Sequence, residues 1–73
     1  MTWRYQYVIR GDWPFTVTFE GTSVELVKFN PEVVKWCINT FGNDPKIRVW
    51  YTMGHSYNFR EKEHAELFLL RWA

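Results

Sequence analysis

The chain has 73 residues, a length at which only about 60 to 65 per cent of the unfolded surface can be buried, so every large side chain carries weight. Apolar residues make up 47% and charged residues 23%, which excludes the low-hydrophobicity, high-charge class of disordered chains. Nine Lys and Arg against eight Asp and Glu leave a net charge of +1, so no global field draws the chain to nucleic acid or to a membrane, and any electrostatic function must rest on local patches.

Aromatic residues reach 21%, with five Trp, four Tyr and six Phe. Each brings roughly 150–250 Å² of surface to remove from water, which is how so short a chain could build a core without cross-links. The lone Cys37 rules out an intramolecular disulfide, and one Cys with two His falls short of a four-ligand zinc site. No metal or other cofactor is therefore expected, and a reduced, intracellular setting is the natural reading. The start MTWRYQYVIR lacks a charged region followed by an apolar one, and no apolar run approaches the ~18–20 residues that span a bilayer, so neither secretion nor membrane insertion is expected. With no repeat, low-complexity stretch or linker, residues 1–73 read as one domain.

Trp3, Tyr5, Tyr7 and Ile9 alternate with Arg4, Gln6, Val8 and Arg10, the period-two pattern of a half-buried strand. Gly11-Asp12-Trp13-Pro14 breaks it, and Phe15, Val17 and Phe19 alternate with Thr16, Thr18 and Glu20 as a second strand, pairing with the first as a hairpin. After the Gly21-Thr22 turn, Ser23–Phe29 is ambiguous between strand and helix. Val24, Val27 and Phe29 favour a strand while the alternation is poor, and the segment is read as a short third strand. Asn30-Pro31-Glu32 reads as a helix start, with Asn as N-cap, Pro at the first helical position and an acid near the positive end of the dipole. Val34, Cys37, Ile38 and Phe41 then fall on one face, and Gly42 supplies the stop. Beyond the Asn43-Asp44-Pro45 loop, Ile47, Val49, Tyr51 and Met53 alternate with Lys46, Arg48, Trp50 and Thr52 as a strand that Gly54-His55 turns back into Ser56–Arg60. Glu61, Lys62 and Glu63 open a last helix with Ala65, Phe68, Leu69 and Trp72 as its core stripe. The expected class is α+β, in the order β-β-(β)-α-β-β-α, with two helices packed on one face of a single antiparallel sheet.

That architecture leaves one sheet face open. If Tyr5, Tyr7, Phe15, Val17, Phe19, Val49, Tyr51, Tyr57 and Phe59 point to the helices, the opposite parity exposes Arg4, Arg10, Arg48, Trp50 and Arg60 among Thr16, Thr18, Thr52 and Asn58. Guanidinium groups beside an aromatic suit phosphate contact combined with ring stacking, although Arg and Thr are also ordinary choices for a solvated strand face. At 100° per residue, Trp36 falls opposite the stripe of the first helix, and Leu67 and Leu70 fall opposite the stripe of the second. Val33, Trp36, Leu67 and Leu70 are thus read as an association surface, with a homo-oligomer expected.

No catalytic residue is assigned. His55 and Ser56 are adjacent on a turn and do not aim at each other as base and nucleophile must. His64 reads as a solvated helix residue, and Cys37 as a buried, inert thiol. Gly-rich phosphate loops, HExxH and CxxC are absent from the sequence.

The run from Phe59 through Ala65 and Phe68 to Leu70-Arg71-Trp72 resembles a strand-to-helix ending, F-x5-A-x2-F-x-L-R-W, that recurs in small accessory proteins of tailed bacteriophages. It covers residues 59–72, and its spacing has a plain packing role. The resemblance implies an origin: a phage-encoded protein acting in the cytoplasm of an infected bacterium. By analogy with such proteins, the chain is expected to act without catalysis, interfering with host machinery or defence by stoichiometric binding of a host protein or by sequestering a small nucleotide ligand. The alternatives are a nucleotide or single-stranded nucleic-acid binder using the open sheet face, and a small structural or virion protein.

Overall fold

A computed structural model describes residues 2–8 and 11–73. Strands β1 (Trp3–Tyr7) and β2 (Phe15–Phe19) precede helix α1 (Ser23–Phe41), followed by β3 (Trp50–Met53), β4 (Ser56–Phe59) and α2 (Lys62–Trp72). The four strands form one sheet in the order β1-β2-β4-β3. Every neighbouring pair is antiparallel. Both helices pack on one face of the sheet, so the fold is α+β as the sequence pattern implies.

The expected third strand is instead the first part of α1. Thr22 is the N-cap: its Oγ1 accepts from the Glu25 backbone N–H at 3.2 Å, and the Glu25 carboxylate reaches back to the Thr22 N–H at 3.4 Å. This reciprocal capping box satisfies two of the backbone donors that a helix start leaves free. Leu26, Val33 and Cys37 then fall on the buried side. Pro31 lies inside the helix and does not begin it. It removes the bond to the Val27 carbonyl, but Val27 and Pro31 are both exposed, so that carbonyl can turn to water at modest cost. Asn30 is likewise no cap, since its side chain accepts a hydrogen bond from the Tyr57 hydroxyl and ties mid-helix to β4. The helix ends at Gly42, whose φ of +92° suits only glycine and whose N–H donates to the Ile38 carbonyl at 2.9 Å.

The core joins Val17, Trp50, Tyr57 and Phe59 of the sheet to Val33 and Cys37 of α1 and Ala65 and Phe68 of α2. Phe68 is its hub, with ring centroids 5.2 Å from Trp3, 4.9 Å from Tyr57 and 5.5 Å from Phe59. Val33, read from the sequence as part of an association surface, is fully buried here, because it lies one turn before Cys37 and two turns after Leu26, on the same buried stripe of α1. Trp36 lies between the helices and not outside them. Its ring stands edge-on to Phe41 at 5.4 Å and to Trp72 at 6.1 Å.

The parity of β3 is the opposite of that expected. Trp50 pairs across from Phe59, and Tyr51 from Asn58, so Trp50 faces the helices and Tyr51 the open side. The Asp44 turn accounts for this. Asp44 Oδ1 accepts from the Lys46 N–H at 2.9 Å, and the Asp44 carbonyl from the Ile47 N–H at 3.1 Å, an Asx-type turn that holds residues 44–47 out of the sheet. The paired register starts at Trp50, just after an Arg60 N–H bond to the Val49 carbonyl at 3.3 Å, and the Trp50 indole N–H is satisfied by the Gly42 carbonyl at 2.8 Å. Moving a strand by one residue exchanges its faces.

The two sheet edges also differ. The loop from Gly42 to Val49 runs beside β3 and encloses with it a cavity of about 200 Å³. No described segment lies over the backbone edge of β1. Tyr5 and Tyr7 have helix-side parity, as expected, yet they are 38% and 57% exposed because the helices stop short of this edge.

Candidate interaction surfaces

On the open sheet face, Thr16 Oγ1 donates to Asn58 Oδ1 at 2.8 Å, and Asn58 Nδ2 donates to Ser56 Oγ at 3.2 Å. This short chain of bonds accounts for a polar residue only 6% exposed on a nominally open face. Trp13, from the β1–β2 connection, stands edge-on to Tyr51 with centroids 4.9 Å apart. The Arg60 guanidinium lies 4.6 Å from the Trp13 ring centre. One guanidinium and two aromatic rings therefore form a stack at one end of the face, a cation–π arrangement that can take a further planar or anionic group.

Of the sheet-face residues expected from sequence, Arg60 belongs to this stack. Arg4 is exposed on the same face, opposite Thr18 toward the other end of the strands. Arg48 is exposed in the loop before β3 and lines the cavity with Asp44, Tyr51 and Thr52. Trp50 is excluded by the inverted parity, being 9% exposed and in the core. Arg10 lies outside the described residues. Trp13 and Tyr51 take the aromatic role that Trp50 was expected to fill. Tyr51 would have been found by shifting the strand one residue, whereas Trp13 sits in a turn where no periodicity places a side chain.

The helix layer carries a second surface. Leu67 and Leu70 are 42% and 84% exposed, as their helical positions imply, and Val24 and Val27 of α1 are 68% and 71% exposed. Ser23, Val24, Val27 and Lys28 line a shallow apolar depression. Reading their segment as a strand hides the two valines from the sequence pattern.

His55 lies on the β3–β4 turn, with Nε2 3.2 Å from Ser23 Oγ and Nδ1 3.3 Å from the Phe19 carbonyl. The imidazole thus bridges the turn, the end of β2 and the start of α1, stacking beside Phe19. Burial pushes the Cys37 thiol from 9.0 up to about 12, which keeps it protonated and weakly nucleophilic at neutral pH. Burial and then the neighbouring Cys37 raise the Tyr57 hydroxyl from 10.0 to about 12. Among the described residues, no group of three or more His, Cys, Asp or Glu is placed to hold a metal ion, and no helix is long and apolar enough to cross a membrane.

Comparison of the chain with family models, with curated proteins and with solved structures finds no match.

Proposed function

We propose that this chain is a non-enzymatic interaction protein of the bacteriophage accessory type, interfering with host machinery or defence by stoichiometric binding of a host protein. The supporting observation is the set of large aliphatic side chains on the solvent side of the helix layer: Val24, Val27, Leu67 and Leu70. Leaving branched aliphatics in water gains the monomer nothing, whereas burying each against a partner contributes up to about 1.5–3 kcal/mol. The test is capture of a host protein from a bacterial lysate by the tagged chain, beside a Val27→Glu/Leu70→Glu variant. Both positions are exposed, so the variant should keep the wild-type circular dichroism and lose the partner. Retention of the same partner by the folded variant would remove this surface from the proposal.

A second reading, ligand sequestration or single-stranded nucleic-acid binding, draws on a different observation, the Arg60–Trp13–Tyr51 stack on the open face. A nucleotide stacked there would quench Trp13 fluorescence with an affinity that falls as salt rises. Unchanged quenching in a Trp13→Phe variant would count against it.

A further inference from the structure

The backbone of β1 carries a self-complementary pairing edge. The Glu20 N–H donates to the Thr2 carbonyl and the Val8 N–H to the Pro14 carbonyl, both at 2.8 Å. With the unbroken register Trp3↔Phe19 to Tyr7↔Phe15 between them, the even-numbered residues of β1 exchange bonds with β2. Antiparallel alternation then turns the N–H and C=O groups of Trp3, Tyr5 and Tyr7 outward to the free edge. Among the described residues, nothing pairs with them. Natural edge strands are commonly blunted by Lys, Pro, a bulge or an inward-pointing charge. From Trp3 to Tyr7 there is no Lys or Pro, the register has no bulge, and the one charged residue, Arg4, points to the open face.

We propose that β1 pairs antiparallel with β1 of a second copy of this chain, about a two-fold axis through Tyr5, joining two four-stranded sheets into one of eight strands. The axis position follows from the outward groups. A two-fold axis through any β1 residue sets outward odd-numbered residues against outward odd-numbered ones, and Tyr5 is the centre that brings Trp3, Tyr5 and Tyr7 all into register with one another. Tyr5 then exchanges both bonds with Tyr5 of the second copy, and Trp3 does so with Tyr7. On the open face this register sets Arg4 across from Gln6, so no like charges oppose, whereas an axis at Arg4 would place two guanidiniums face to face. On the helix face it brings the half-exposed Tyr5 and Tyr7 rings against aromatic neighbours, a cross-strand pairing that stabilises a sheet. A contact of this length lies at the small end of specific interfaces, which fits a reversible dimer.

Sedimentation velocity across a concentration series tests this with three variants. Gln6→Glu sets a carboxylate opposite Arg4 twice across the axis and should tighten the dimer about three- to tenfold. Gln6→Lys opposes like charges twice and should weaken it by a similar factor, without touching the core. Tyr5→Pro removes an outward N–H that β2 does not use, and should leave a folded monomer. A wild-type chain that stays monomeric throughout overturns the proposal, even if β1 captures a strand of another protein. So does a dimer indifferent to both Gln6 charge changes, which would place the contact elsewhere. The helix-face variant of the preceding subsection leaves β1 intact, so the two readings fail separately.

Discussion

The two faces of the sheet are held by different physics. Toward the helices, Val17, Tyr57, Phe59 and Trp50 interdigitate with Val33, Cys37, Ala65 and Phe68, and the stabilisation comes from apolar area and ring contacts. Away from them, Thr16, Asn58 and Ser56 share hydrogen bonds on the face that also carries Trp13, Tyr51 and Arg60, and the gain is the satisfaction of a polar group that is only 6% exposed. One face is the more sensitive to lost volume. The other lies outside the helix layer and carries the guanidinium and rings of the second reading. The largest expected effect therefore belongs to the helix side: Phe68→Ala should lower unfolding free energy by about 3–5 kcal/mol, read as a fall in urea midpoint. A loss below about 1 kcal/mol would mean that the surrounding rings close the space and that Phe68 is no hub.

The helix side also holds both groups with displaced proton equilibria, so it should respond to alkali. Cys37 and Tyr57 are each raised to about 12 in the folded chain, from 9.0 and 10.0. The folded state therefore holds these protons more tightly than the unfolded state. Their contribution is complete below about pH 9 and is lost as pH rises from there toward 12, each group adding a slope of up to about 1.4 kcal/mol per pH unit in its own window. Urea midpoints should be flat with respect to these two groups between about pH 7 and 9 and fall above. Cys37→Ala should remove the part of the decline that begins near about pH 9 and leave the part that begins near about pH 10.

Much of this division was legible in the chain. The alternation in Phe15–Phe19 assigns Val17 and Phe19 to the helix side, and Tyr57, Phe59, Ala65 and Phe68 follow from strand and helix periods that nothing interrupts. Two local signals misled. Asn30-Pro31-Glu32 satisfies every rule for a helix start, and only the Thr22–Glu25 capping box, well upstream, competes with it. Proline can sit within a helix where the freed carbonyl faces water, a condition set by tertiary burial that the local sequence does not display. At β3, an apolar residue stands at both parities, since Ile47, Val49, Tyr51 and Met53 alternate with a Trp50 that outweighs any one of them. The decision fell to a turn at Asp44 and to a carbonyl at the end of α1 that could accept the indole proton. Both mistakes moved the candidate site, exchanging Trp50 for Tyr51 and hiding Val24 and Val27.

The smallest effect is the most direct probe of the open face. If the Arg60–Trp13 stack does no more than cover its end of the sheet face, its two members should couple weakly in stability and be indifferent to ligand. A double-mutant cycle of Trp13→Ala and Arg60→Ala should return a coupling of about 0.5–1 kcal/mol, the range for an exposed cation–π pair. The same cycle read in nucleotide affinity distinguishes a cover from a platform. A cover leaves affinity flat across all four proteins. On a platform, Arg60→Ala steepens the loss seen in Trp13→Ala, because the guanidinium both orients the ring and meets the phosphate. Since Arg4 lies at the far end of the same face, Arg4→Ala should change neither coupling, and it serves as the internal reference for a site confined to one end of the sheet.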